Sequence, residues 1–526
     1  MLKNLPSAFG FAALAACASS GNPTLASSTE PARPTLVVML TIDQFRGDYI
    51  QRFRPQLTGG LARFADGGAW FTNAHQDHGI TETAPGHASL LSGRFPRSTG
   101  ISNNRAGVED RSFPLIEFYP GEIGASPNRF RGTGLFDWMY AADSRARALS
   151  ISMKDRAAIL PIGKAKQNVY WYSTSGKFTT STYYASKLPD WLQAFNARDL
   201  GRRSAGKTWA LLLPESAYPE PDSIPAEASG TDFVFPHVIT SDSTNAASTV
   251  RLTPFMDDMT LAAALAGVNA LQIGKGPHVD LLNISLSATD IIGHRYGPDS
   301  REMHDQMLRV DRAIGAFIDS LYKLRDSSRI VFAISGDHGV ASLPELNVER
   351  ASPPPVRVSL GGVVANARVF LREAGVDTTA IVFDGLTVIA EREKFRTAKQ
   401  TDSILDMIAS DYRAVAGVAR VDRFSDLLKG DTVGDPIARR WSHQFRPGDI
   451  DLAITLTRMS IASSNSATHG SPYDYDTHVP IIFYGAGILP GVYSSFVRTV
   501  DIGPTLAVLL GIKALEKLDG VPLLPR

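Results

Sequence analysis

Cysteine is almost absent. Of 526 residues one is Cys, at position 17, so no disulfide can form within the chain. Neither sign of charge is in excess, with 53 Lys and Arg against 53 Asp and Glu. That balance gives no electrostatic ground for nucleic acid as a partner. Past the amino-terminal segment, no apolar run reaches the roughly 18 residues that a membrane-spanning helix needs. Internal repeats are lacking too. What the chain has in quantity is apolar: 44% of residues are hydrophobic and 20% are charged. That suits a globular protein with a large core.

The place of the cysteine overrides what its rarity would suggest about a reducing compartment. Lys3 opens a short basic region, Phe9 to Ala16 are apolar, and Leu14-Ala15-Ala16-Cys17 resembles the lipobox of a bacterial lipoprotein. The resemblance implies cleavage before Cys17 and lipid on its thiol and amine. The alternative is an ordinary secretory signal cut after a small residue such as Ala26. Either way the sequence predicts export, with membrane contact only through an anchor at Cys17. Residues 17–33, rich in Ser, Pro, Thr and Ala, read as a flexible tether, and 34–526 as the working part.

Three apolar runs end in acidic residues. Thr35 to Ile42 leads to Asp43, Val279 to Ala288 to Asp290, and Arg329 to Ser335 to Asp337. Runs of this length read as strands buried on both faces, as in parallel sheets. In an open α/β sheet, ligands bind outside the carboxyl ends of the strands. Ala148 to Met153 is a further strand and ends at Lys154-Asp155-Arg156. Val479 to Tyr484 and Asp451 to Leu456 are expected to join the same sheet. A helix at Met259 to Leu271 and an amphipathic helix at Ser300 to Leu324 alternate with these strands. The expected fold is therefore a three-layer α/β/α core with a mostly parallel central sheet. Two stretches of different texture, at about 157–253 and 341–448, read as insertions capping it. Val356 to Arg372 is expected to be β-rich, and Asn168 to Ser186 to form a hairpin or exposed lid.

The chemistry concentrates at the strand ends. Asp290-x3-His294 puts a carboxylate and an imidazole on one face of a loop or first helical turn. Asp337-His338 presents adjacent donors, which need a turn that Gly336 and Gly339 permit. His478 stands just before another apolar strand. Singly, each is an ordinary polar residue or helix cap. Together, Asp43, Asp290, His294, Asp337, His338 and His478 suit divalent metal, zinc above all, and using them all takes two sites. Paired metals about 4 Å apart can hold the attacking and the leaving oxygen of a phosphoryl transfer. A hydroxyl nucleophile is available in Ile80-Thr81-Glu82-Thr83-Ala84-Pro85-Gly86-His87, where Thr83 stands at a helix N-terminus that favours alkoxide and phosphate. Alone, Thr83 would be read as an N-cap. His87 could support a ligand from behind, whereas His75, His78 and His469 read as structural.

These segments resemble the alkaline phosphatase superfamily, and within it the threonine-nucleophile bacterial alkaline phosphatases related to nucleotide pyrophosphatases/phosphodiesterases. The resemblance rests on Thr41-Ile42-Asp43-Gln44, the Thr83 segment with Ser92-Gly93-Arg94-Phe95-Pro96, Asp290-x3-His294, Ser335-Gly336-Asp337-His338-Gly339, and the run Gly470 to Pro480. It implies two zinc ions, one held by Asp290, His294 and His478, the other by Asp43, Asp337 and His338 with the Thr83 oxygen. It implies that Thr83 attacks phosphorus and that the phospho-threonine is then hydrolysed. By the same resemblance Lys154, Arg156 and Asn104 contact the phosphoryl oxygens. Those contacts favour a small-molecule phosphate monoester, with a phosphodiester or nucleotide pyrophosphate as the alternative. The resemblance does not favour a sulfatase, since the nucleophile position holds Thr83 and the one cysteine lies in the expected export signal.

Overall fold

The computed structural model describes residues 33–117 and 121–524. The expected export signal, Cys17 and all but the last residue of the expected tether lie outside the described residues. Ten strands form the main sheet. In chain order they are β1 (Leu36–Ile42), β2 (Ala69–His75), β3 (Ala148–Ser152), β4 (Asn168–Tyr172), β5 (Phe178–Thr179), β6 (Asp280–Leu286), β7 (Ile330–Gly336), β8 (His478–Gly485), β9 (Gly491–Tyr493) and β10 (Val497–Arg498). Their order across the sheet is β9-β2-β8-β7-β1-β6-β3-β4-β5, with β10 also on β2.

The centre, β7-β1-β6-β3-β4, is parallel, and β8 runs antiparallel between β2 and β7. The three acid-tipped runs are the three central neighbours. Register puts Ile42 beside both Leu286 and Gly336, so their following residues emerge at one edge. Every residue of β1, β6 and β7 is buried. Alternate residues of β1 enter different cores. Leu36, Val38, Leu40 and Ile42 face one, beneath helices Phe255–Leu271 and Arg301–Leu324. Val37 and Met39 face the other, beneath helices Leu135–Ala142 and Ile502–Leu510. Burying each such side chain fully is worth about 1.5–3 kcal/mol. The two cores make the sheet the middle of three layers.

Several elements differ from expectation. The aromatic stretch after Asn168 is the expected hairpin, β4 pairing antiparallel with β5, but not a lid, because β4 also pairs in parallel with β3 and extends the central sheet. Leu452–Leu456 joins a separate four-stranded sheet with Ile381–Asp384, Thr387–Ala390 and Val418–Arg423, not the main one. Gly361–Glu373 is a helix rather than β structure, and it buries Val363, Ala367 and Leu371 at four-residue spacing. The small sheet packs its own core against helices Gly361–Glu373 and Ala398–Arg413.

Candidate active site

Helix α1 (Thr83–Ser92) begins at the edge where β1, β6 and β7 end, and all its residues are buried. Gly86 lets it come that close, since a Cβ there would overlap the Asp337 carbonyl. His87, one turn on, spans helix and sheet. Its Nδ1 lies 2.9 Å from the Thr83 carbonyl and 3.1 Å from Asp337 Oδ2, and its Nε2 lies 2.9 Å from Ser285 Oγ. Helix α2 (Ala288–Tyr296) follows β6 and carries Asp290 and His294 one turn apart.

Two groups of donors result. Asp43, Asp337 and His338 form one, and Asp290, His294 and His469 the other, with the ligand atoms of each group within 4.8 Å of one another. His338 Nδ1 donates to the Gly339 carbonyl at 3.0 Å, His294 Nδ1 to Ala467 at 2.9 Å and His469 Nδ1 to Thr81 at 2.7 Å. Each ring therefore presents a bare Nε2, as metal-binding imidazoles do. The Nε2 atoms of His294 and His469 lie 3.1 Å apart, and 3.3 and 3.4 Å from Asp290 Oδ1. Asp43 Oδ1 and His338 Nε2 are buried with no hydrogen-bond partner, and Asp337 Oδ2 has the His87 ring on one side only. Orphaned donors converging this way fit a metal ion and little else.

His478 does not belong to the group. It is the first residue of β8, opposite His75 in register, and stacks on that ring with 5.1 Å between centroids. Its Nε2 donates to the Thr72 carbonyl at 2.8 Å. His469, expected to be structural, supplies the third donor instead. Because β8 is antiparallel, the loop before it overhangs the site while His478 itself is already committed to the ladder. The available signal was Thr468-His469-Gly470-Ser471-Pro472, a histidine in a turn-rich loop feeding that strand.

Lys154 bridges the two groups. Its Nζ lies 2.6 Å from Asp43 Oδ2, 2.6 Å from Asp290 Oδ2 and 3.3 Å from Thr83 Oγ1. Burial opposes its charge, but the Asp290 and Asp43 carboxylates outweigh that and raise its pKa. Burial and the neighbouring Asp290 and Asp337 charges push Asp43 well above the usual carboxylate range. Burial lowers His338 to about 3, so the ring is neutral, the form that binds metal. The Asp290 and Asp337 carboxylates against one buried lysine leave negative charge over, and a dication beside Asp43 would favour its ionised form as well.

Asn104 sits at the start of α1. Its Oδ1 accepts the Ala84 N–H at 2.9 Å and its own N–H donates to Glu82 at 2.6 Å, which leaves Nδ2 free to donate. Asn103 is turned the other way, onto Asp384 at 2.6 Å. The Arg156 guanidinium meets Asp155 at 3.6 Å rather than the metal ligands. Beside His469 and Asn104 a cavity of about 560 Å³ opens, its far wall formed by Val358, Leu360, Leu386 and Ile461.

A type I phosphodiesterase / nucleotide pyrophosphatase family model matches residues 37–356. The chain belongs to this family, and so to the alkaline phosphatase superfamily. Family members similar along most of its length include alkaline phosphatase PafA of Elizabethkingia meningoseptica, 29% identical over 515 residues, covering 93% of this chain and 94% of that one. Alkaline phosphatase PhoK of a Sphingomonas species is 31% identical over 515 residues, covering 93% of this chain and 90% of that one. The crystal structure of PafA superposes with a TM-score of 0.86 at 28% identity, covering 93% of this chain and 98% of that one. The expected α/β architecture with its mostly parallel sheet is thus the family's fold.

Proposed function

We propose that this chain is a metal-dependent alkaline phosphatase that hydrolyses small-molecule phosphate monoesters through a phospho-threonine at Thr83. One observation carries the reading: the Thr83 hydroxyl stands at a buried helix N-terminus, 3.3 Å from Lys154 Nζ, while Nζ itself reaches a carboxylate from each donor group. The full-length similarity to alkaline phosphatases PafA and PhoK supports the same activity.

Asp43, Asp337 and His338 would hold one divalent ion, and Asp290, His294 and His469 the other. Two such ions, zinc by this donor chemistry, would supply Lewis acidity to the reaction when bound. The chain's own groups do the rest. Thr83 Oγ1 gives up its proton and bonds to phosphorus as the bond to the ester oxygen breaks. The departing oxygen takes up a proton and leaves as an alcohol. Water then attacks the phospho-threonine, the bond to Oγ1 breaks, and inorganic phosphate leaves. The positive end of the α1 dipole favours the anionic forms throughout. Lys154 and the Nδ2 of Asn104 offer charge and a hydrogen bond to the non-bridging oxygens, which are most anionic in a monoester. The family's description keeps a phosphodiester or nucleotide pyrophosphate as the second reading. Arg156, whose charge acts on Lys154 and whose ion pair is the 3.6 Å contact with Asp155, would add a further cation for a monoester.

The decisive experiment compares an aryl phosphate with its bis-ester, with zinc present. The monoester should turn over far faster. Thr83→Ala should lower its kcat/KM by about a thousandfold or more, and Lys154→Ala should cost the monoester more than the diester. Equal or faster turnover of the bis-ester would overturn the monoester reading, and activity surviving in Thr83→Ala with metal bound would remove Thr83 as nucleophile. Export and a lipid anchor at Cys17 complete the proposal; a Cys17→Ala chain still recovered with the membrane would refute the anchor.

A further inference from the structure

Gln44 follows Asp43 directly and has no part in the chemistry above. It is wholly buried and holds a left-handed backbone, with φ of 64°, a conformation that strains any residue but glycine. Two contacts account for that conformation. The Gln44 N–H donates to Asp337 Oδ1 at 3.0 Å. Its side-chain Nε2 donates to Asp290 Oδ1 at 2.9 Å, with the Asp290 carbonyl 3.4 Å away. Both neighbours of Nε2 are acceptors, so the orientation of the amide is determined. Helix α2 makes room for the amide at Gly293, where a Cβ would overlap Gln44 Oε1. That oxygen is buried without a partner, a cost the site bears to keep the amide in place.

We infer that Gln44 is the positioning residue that joins the two metal sites, through its backbone to the site containing Asp337 and through its side chain to the site containing Asp290. The inference rests on the two-metal reading and adds a division of labour to it. Asp290 Oδ1 faces His294 and His469 while Oδ2 faces Lys154. The amide hydrogen bond fixes the rotation of the carboxylate about that split. Without it the carboxylate can turn toward Lys154 and leave the histidine pair. Asp337 is insulated from the same change, because its bond comes from the backbone.

The test is zinc affinity, measured on the full chain by chelator competition and metal analysis, with the visible spectrum of the cobalt-substituted protein as a second readout. The variants are Gln44→Met, which keeps the volume, and Gln44→Gly, which suits the positive φ and carries the test if the methionine variant fails to fold. Both should lose affinity about 10–100-fold at one site and keep the other unchanged, with a changed cobalt spectrum for the weakened site alone. Equal weakening of both sites, or of neither, overturns the inference while wild-type stoichiometry of two leaves the proposed function standing. A wild type that binds no zinc overturns both.

Discussion

His469 and His478 lie nine positions apart in one loop-strand segment, and their exchange of roles shows what a single residue's context decides. His469 has its Nδ1 spent on a carbonyl and its Nε2 aimed at Asp290. His478 has its Nε2 spent on a carbonyl and its ring stacked on His75. His469→Ala should therefore lose one of two bound zinc ions and at least about a hundredfold in kcat/KM for a monoester, the usual scale for removing a group from a metal site or its support. His478→Ala should keep both ions and most of the activity. Metal content and kinetics of the two variants decide between them, and the opposite pattern would restore His478 as the ligand. The acidic members of the two donor groups are legible because an apolar run ending in Asp marks both a strand and its end. His478 misled because proximity to a strand says nothing of the face its side chain takes.

At the scale of elements, the small sheet's hairpin is clasped to the loop that carries Asn104. Asp384, at the turn between Ile381–Asp384 and Thr387–Ala390, accepts from Asn103 at 2.6 Å and from Arg105 at 3.3 Å. Asn103 Oδ1 in turn accepts the Ala106 N–H at 2.7 Å, which tightens the loop after Asn104. The clasp is partly exposed, so a net worth of about 1 kcal/mol is reasonable. Asp384→Ala should then raise KM for a monoester about fivefold with zinc content unchanged, and an unaltered KM would show that the Asn104 loop holds itself. Nothing local announced this clasp. It joins segments about 280 residues apart by single polar contacts. The helix Gly361–Glu373 was obscured for a different reason. Its Val363, Val364 and Val369 favour strands locally, and packing of Val363, Ala367 and Leu371 on the small sheet overrides them.

Over the whole molecule, the helix Pro436–Gln444 is bound to the loop before α1 by charge as well as by apolar packing. Asp77 lies in the loop between β2 and α1, almost fully buried. It meets Arg439 at 3.1 Å, Arg440 at 3.4 Å and His443 at 3.4 Å, all on that helix. Burial alone would raise its pKa, but the hydrogen bond from His443 and the charges of His443, Arg439 and Arg440 outweigh burial and hold it at about 2. A carboxylate whose folded pKa lies below its ordinary value stabilises the folded state above that ordinary value, near pH 4. The contribution fades as pH falls through about 2. The shift from 3.8 to about 2 corresponds to about 2 kcal/mol. Asp77→Asn should therefore be less stable than the wild type by about that much at pH 6, and the gap should close as pH falls from 4 toward 2. Urea midpoints of both proteins across this range measure it, and protonation of the metal ligands, common to both, cancels in the difference. A gap that stays constant with pH would assign the loss to packing rather than to the charge of Asp77.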